Sequence, residues 1–495
     1  MATNRWLTLT VKVSDEDGTV PLVIDWDSKA NPGNMVSRVT AVADGSTVNS
    51  YKQTVTEKRA YTALIKATDS DGAEAARSID TNGVIPDPDP GPDPGPDPGP
   101  SKTSKLGGNG NFISRDWQAT NPFKADVNFA TCWNSGTVDH VTKISPWRDD
   151  FLEMIKFRSM WRGMDWCNTN RNLIQNWSQV MAPTNQANNN TLGFGQQGTS
   201  SPLSYEWQID LCNRTNMDLW TNVPHMSWLK KDDYWVKLAK LIGARLKPGL
   251  KVVPEYSNEV WNTAWKSADW RANQTVWTAT QGGYSGTLAP PDGGNWDGFY
   301  AQVREGHTNA YKDLWEIFDR EVGRDRVWHV LPGQRVGNDV KEKVLLAKSK
   351  GMSIDAIAIA PYFGSAILPS NTTGFWDSIN ADIDGHVTTV MNTMRALANE
   401  HSLKLFCYEG GQEVTGKGKA DTRPVNSDPR MYNAYTKWLN IVVPKCDVLC
   451  TFTNAARESK DFAFGETRDI SASLSTEHKL RALVDYAKSK GWENG

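Results

Sequence analysis

Fifteen residues, Pro86 to Pro100, constrain this chain more than any others: Pro-Asp-Pro-Asp-Pro-Gly-Pro-Asp-Pro-Gly-Pro-Asp-Pro-Gly-Pro. Each proline fixes φ and removes a backbone donor. The run can therefore join neither a helix nor a sheet ladder, and it holds an extended, semi-rigid geometry. A chain of 495 residues is also too long for one compact core. The expected organisation is a folded module over residues 1–85, a linker over 86–104 and a larger domain over 105–495.

The first module reads as short strands. Trp6–Val13 and Ala60–Ala67 alternate apolar and polar residues, and Asp-x-Asp-Gly turns follow them at Asp15–Gly18 and Asp69–Gly72. Asp-x-Asp-Gly can bind calcium, and it also makes a plain turn, which is the reading taken. The segment Ala67-Thr-Asp-Ser-Asp-Gly-Ala73 resembles the late hairpin of PKD-like and other immunoglobulin-like modules. That resemblance implies a small all-β sandwich acting as spacer or accessory binder.

Beyond the linker, apolar runs alternate with amphipathic segments. The expected strands are Ala125–Thr131, Ile155–Met160, Leu219–Val223, Leu250–Glu255, Arg326–Leu331, Ala356–Pro361, Lys404–Tyr408 and Asp447–Phe452. The expected helices include Asp232–Leu246, Gly298–Val322, Asp339–Lys350, Ile383–Glu400, Arg430–Val443 and Glu477–Lys490. Short buried strands with helices between them mean a parallel sheet, and eight repeats fit an α/β fold of the (β/α)8 TIM-barrel type. The doubly wound open sheet competes, but no glycine-rich phosphate loop follows the first strand.

Two of these strands end in a carboxylate. Val252-Val-Pro-Glu-Tyr-Ser-Asn-Glu259 closes strand 4 with Asn258 and Glu259, and Lys404-Leu-Phe-Cys-Tyr-Glu-Gly-Gly411 closes strand 7 with Glu409. Barrel enzymes place their chemistry at the C-terminal ends of strands, and a pair of carboxylates is what glycosidic cleavage requires. Glu255, inside its strand, reads as half of a structural ion pair, and Glu413 is a spare candidate. The pattern Glu255-x-x-Asn258-Glu259, with Tyr408-Glu409-Gly410-Gly411, resembles the retaining (β/α)8 glycoside hydrolases of clan A, which include family 5 cellulases and mannanases. The resemblance implies that Glu259 is the acid/base, Asn258 the amide on the sugar 2-hydroxyl and Glu409 the nucleophile. It further implies that Arg158 holds the nucleophile ionised and that His225 and Tyr362 line the substrate. The chain departs from family 5 at strand 6, which lacks His-x-Tyr, and at strand 8, which ends Cys450-Thr-Phe-Thr-Asn454 without tryptophan.

Of 22 tryptophans, only Trp6 and Trp26 precede the linker. Trp133, Trp161, Trp166, Trp228, Trp261 and Trp265 fall just past expected strand ends, which suggests an aromatic-lined sugar cleft on the catalytic face. Trp265–Trp296, with its Gly and Pro pairs, reads as a loop insertion walling that cleft. A net charge of −3 gives no field for capturing nucleic acid or an anionic membrane. No run is long and apolar enough to span a bilayer. Seven scattered histidines and six cysteines without CxxC spacing supply no zinc site, and no cofactor is expected. The cysteines read as buried free thiols.

The leading expectation is a monomeric, retaining β-glycosidase cutting within a polysaccharide. The alternative is a non-catalytic polysaccharide-binding adhesin or phage tail component on the same scaffold. A polysaccharide lyase would want a basic or tyrosine group beside a uronate-binding cation. Met1–Thr8 lacks the apolar stretch of a signal peptide, so the expected location is extracellular, either with its leader removed or by another route such as a virion.

Overall fold

The computed structural model describes residues 102–110, 118–185, 202–262, 270–285, 296–335, 338–370 and 372–492, with the backbone of six strands between residues 5 and 80. The chain divides into two compact units, Met1–Asp97 and Pro98–Gly495. In the first, Arg5–Lys12 pairs antiparallel with Val48–Val55, and a second antiparallel sheet runs Asn31–Ala43, Val20–Ser28, Tyr61–Thr68, Glu74–Asp80. The Asp-x-Asp-Gly turns and the proline run lie outside the described residues.

The second unit is a (β/α)8 barrel. Its strands are β1 (Leu106–Asn109), β2 (Met160–Arg162), β3 (Asp218–Val223), β4 (Val252–Tyr256), β5 (Val330–Pro332), β6 (Ala356–Ile359), β7 (Lys404–Cys407) and β8 (Val448–Thr451). All neighbours are parallel, and β8 returns to pair with β1. A parallel bridge between Val252 and Val327, with Trp328 N donating to Val252 O at 2.8 Å, joins β4 to the β5 edge and closes the ring. The strands are almost wholly buried, as strands covered by helices must be. Helices cover each crossover, among them Tyr205–Thr215, Lys231–Arg245, Trp296–Val322, Asp339–Ser349, Arg430–Val442 and His478–Ser489.

Three strands differ from expectation; of these, β5 begins at Val330 rather than Arg326, because Arg324–Arg326 forms a 3-10 turn. Ala125–Thr131 is not strand 1: Asn128 caps a helix there, Phe129–Asn134, its side chain accepting from Thr131 N. The true β1 is Leu-Gly-Gly-Asn, which carries almost no apolar signal. Its glycines are steric necessities, because a Cβ on Gly107 would sit 2.7 Å from Cys450 Sγ and one on Gly108 2.7 Å from Arg158 Nη1. Strand 2 starts at Met160 rather than Ile155, since Phe151 and Ile155 form the buried i, i+4 face of helix Asp149–Ile155.

Candidate active site

The barrel converges on one arginine. Arg162, the last residue of β2, is fully buried and uses all five of its N–H groups. Nε and Nη2 grip Glu255 at 2.8 and 2.9 Å, and Nη2 also reaches Asn258 Oδ1 at 2.9 Å. Nη1 reaches Asn109 Oδ1 at 3.1 Å and Glu409 Oε1 at 2.9 Å. Burial works against the guanidinium charge, but Glu255 and then Glu409 outweigh it and hold Arg162 above its ordinary range. Glu255 is further tied by Trp220 Nε1 at 2.7 Å. It is thus half of a bidentate ion pair.

Glu409 lies just past β7, with 6% of its surface exposed. Its second oxygen accepts from the Tyr362 phenol at 2.8 Å. Burial pushes Glu409 up to about 7; Arg162 pulls it back, and the charge of Glu259 pushes it up again. Burial, then the Glu409 carboxylate, raises the Tyr362 phenol well above its usual range, so it remains a donor.

Glu259 sits just past β4 and is half-buried. Tyr408, the residue before Glu409, donates its phenol to Glu259 Oε1 at 2.9 Å, and Asn262 Nδ2 donates to Oε2 at 2.9 Å. Ser257 and Glu259 both adopt left-handed backbone, φ 56° and 44°, on either side of Asn258. Non-glycine residues hold such geometry only where their surroundings over-determine it. Here Asn222 Nδ2 holds Ser257 O at 2.8 Å, and Asn262 N closes a turn on Glu259 O at 2.8 Å. Asn258 is buried, and it donates to Asn170 Oδ1 at 2.9 Å. Glu413 pairs loosely with Arg335, 3.6 Å away.

Arg158 is not in this cluster. Its guanidinium pairs with Glu466 and donates to Gly107 O and, at 3.0 Å, to Thr451 Oγ1. Gly107 faces Cys450 and Gly108 faces Arg158, and pleating puts successive residues on opposite sides of a strand. Arg158 therefore lies on the opposite side of β1 from Cys450. The arginine at the end of the strand, Arg162, takes the expected place; its signal was a charged residue closing the buried run Met160-Trp161.

The tryptophans are also corrected. Trp133 packs edge-on against Trp207 at 5.7 Å beneath Arg245, and Trp166 stacks on Trp147 at 5.8 Å. Trp161 packs on Phe151, and Trp228 is fixed by its Nε1–Asp313 hydrogen bond of 2.7 Å. Trp261 touches the site from behind, 6.3 Å from the Tyr408 ring, with Lys343 Nζ 3.8 Å from its own. Trp161, Trp166 and Trp261 are buried in the core, Trp133 and Trp228 are half-buried against it, and Trp265 lies outside the described residues, as do 286–295 of the expected loop insertion. His225 is buried against Trp277, and burial lowers it to about 4, so it is neutral. A cavity of about 560 Å³ opens at the other end of the barrel, among Lys105, Asp218, Trp328 and Phe406, away from the paired carboxylates. All six cysteines are buried and unbridged, and the described residues contain no metal-holding cluster.

No protein-family model matches the chain, and no curated protein is similar to it in sequence. Solved structures that it resembles include beta-glucuronidase 2 of Bacteroides uniformis, at 11% identity and TM-score 0.41, over 97% of this chain and 49% of that one. A GH39 beta-xylosidase of Caulobacter crescentus aligns over 78% and 75% at 10% identity, TM-score 0.37. A glucosidase of Croceicoccus marinus aligns over 77% and 68% at 12% identity, TM-score 0.40. This chain thus spans about half the length of the glucuronidase.

Proposed function

We propose that the chain is a retaining glycoside hydrolase acting on β-linked polysaccharide, with Glu409 as nucleophile and Glu259 as acid/base. The observation that carries this reading is the pairing at one barrel mouth. One carboxylate is held by an arginine and a tyrosine, and a second, more exposed one lies close enough for its charge to act on the first. Glu409 attacks the anomeric carbon as Glu259 passes a proton to the departing glycosidic oxygen. Water, deprotonated by Glu259, then releases the sugar and regenerates both groups. Arg162 and Tyr362 favour the ionised form of Glu409 that attack requires. Asn258, oriented by Arg162 and Asn170, has an N–H left for the sugar 2-hydroxyl. Cleavage within the chain, by a secreted or virion-borne monomer, completes the proposal.

The test is a screen of polysaccharides with reducing-end detection beside a Glu409→Gln protein, which loses turnover. Viscosity falling faster than reducing ends appear marks internal cleavage. On an activated aryl glycoside, azide rescues Glu259→Ala with retained configuration, whereas Glu409→Ala gives the inverted azide. Both variants keeping parental activity would place the chemistry elsewhere. A parent that binds glycans and cleaves none would be the adhesin of the alternative reading.

A further inference from the structure

The segment after β8 carries two phenylalanines one residue apart, Phe462-Ala463-Phe464. Their rings stack, 6.1 Å between centroids at 21°. Phe462 is 46% exposed. Phe464 beneath it packs on Phe452 at 5.6 Å and on Tyr362 at 6.5 Å. Tyr362 is the residue whose phenol holds Glu409. A ladder of rings therefore leads from solvent to the candidate nucleophile.

The ladder is built, not loose. Ala463 O, between the two rings, accepts from Gln412 Nε2 at 2.6 Å and from Lys479 Nζ, both on buried side chains. Gly416 N donates to Asp461 O at 3.0 Å, and Gly418 N to Asp461 Oδ1 at 2.7 Å. Thr422 holds Lys460 O through its N–H at 2.9 Å and Ser459 O through its hydroxyl at 3.0 Å. The segments after β7 and β8 are thus laced together at the end of the barrel that holds Glu409, and they present one phenyl ring on a fixed mount. A single ring is far too small for a protein interface, but its face matches the C–H face of one sugar ring.

We infer that Phe462, backed by Phe464, is a subsite that stacks a pyranose ring of the bound glycan at a distance from the cleaved bond. The inference rests on the proposed hydrolase reading. It is tested on the full chain with carboxymethylcellulose, xylan and galactomannan, using the polymer that the parent cleaves and its matching aryl monoglycoside. Phe462→Ala lowers the ratio of kcat/KM for polymer to kcat/KM for the aryl glycoside by about five- to tenfold. Phe462→Trp keeps the ratio, and so does Leu345→Ala, which removes an exposed apolar side chain from the helix after β5. An unchanged ratio in Phe462→Ala overturns the subsite and leaves the hydrolase standing. Retardation of Glu409→Gln in polymer-containing native gels, lost when Phe462→Ala is added, supports the subsite by binding alone. If Glu409→Gln still turns over while that retardation is lost, the subsite holds and the catalytic assignment falls. A parent that neither cleaves nor binds any of the three polymers overturns both.

Discussion

Arg158 and Arg162 are four residues apart, both wholly buried and both paired with glutamate, yet only one belongs to a site. Arg158 faces one carboxylate, Glu466, which Thr451 also engages. One positive charge meets one negative charge, although burial still raises the Glu466 carboxyl above its usual range. Arg162 faces two carboxylates, Glu255 and Glu409, with Glu259 near enough to act on the second. Its neighbourhood is buried and also over-supplied with negative charge, so a proton is drawn in, and Glu409 at about 7 is where it shows. A balanced buried pair is a structural element. An unbalanced one, open at a single edge, is a place where protons move.

Replacing each arginine by methionine tests that contrast most severely. Arg162→Met leaves two buried carboxylates unpaired, and kcat/KM falls at least about 10³-fold. Arg162→Lys keeps a charge but cannot supply five donors, and it serves as the folded comparison. Arg158→Met costs about 3–5 kcal/mol of stability in urea titrations. The protein that remains folded keeps kcat/KM within about threefold. Were Arg158→Met to abolish turnover at full stability, the two arginines would have exchanged meanings.

That confusion began in the sequence, and its cause is local. The apolar signal at Met154-Ile155 belongs to a helix face, so it places the strand too early and points to an arginine outside it. Strands 3, 4, 6, 7 and 8 were legible because runs such as Ala356–Ile359 and Val448–Thr451 are continuously buried. Strand 1 was not, because close approach of Cys450 and Arg158 forces glycine where apolar residues would have advertised it. Glu259 and Glu409 stood out because each ends an apolar run. Arg162, Asn109 and the tie between Tyr408 and Glu259 join residues far apart in sequence, and no spacing encodes them. The tryptophans mislead because an indole past a strand end can turn into the core, as Trp161 and Trp166 do, whereas the ring exposed after β8 is Phe462.

The buried Glu409 also predicts a pH-dependent stability. Glu409 is raised from the usual carboxylate range to about 7, so the folded state binds its proton more tightly than the unfolded chain does. Stability from this group is fully present below pH about 4.5 and is lost as pH rises through about 7, by up to about 3 kcal/mol. Glu409→Gln does not titrate. Urea denaturation across pH 4 to 8.5 should show it gaining on the parent as pH rises. A parent-to-variant difference independent of pH would mean that Glu409 ionises freely. The same shift places the acid limb of the parental kcat/KM profile near pH 7.

The smallest effect belongs to Tyr408, and it asks whether the two carboxylates work as one unit. Tyr408 is buried beneath Arg162, whose guanidinium carbon lies 5.2 Å from its ring centre, and its carbonyl accepts from Asn109 Nδ2 at 3.0 Å. The phenol therefore reaches Glu259 from the same rigid block that carries Glu409. Tyr408→Phe removes one oxygen and keeps the ring packing, so folding should be little disturbed. Glu259 then keeps Asn262 but loses the donor that fixes its distance from the bond being broken. Proton delivery to a poor leaving group suffers about tenfold, whereas an activated aryl glycoside, which departs with little protonation, is much less affected. A purely structural role for the phenol would slow both substrates equally. In a Glu259→Ala background supplied with azide, adding Tyr408→Phe should cost nothing more, because the group it positions is gone; a further tenfold loss there would mean that Tyr408 acts on Glu409 or on the sugar directly.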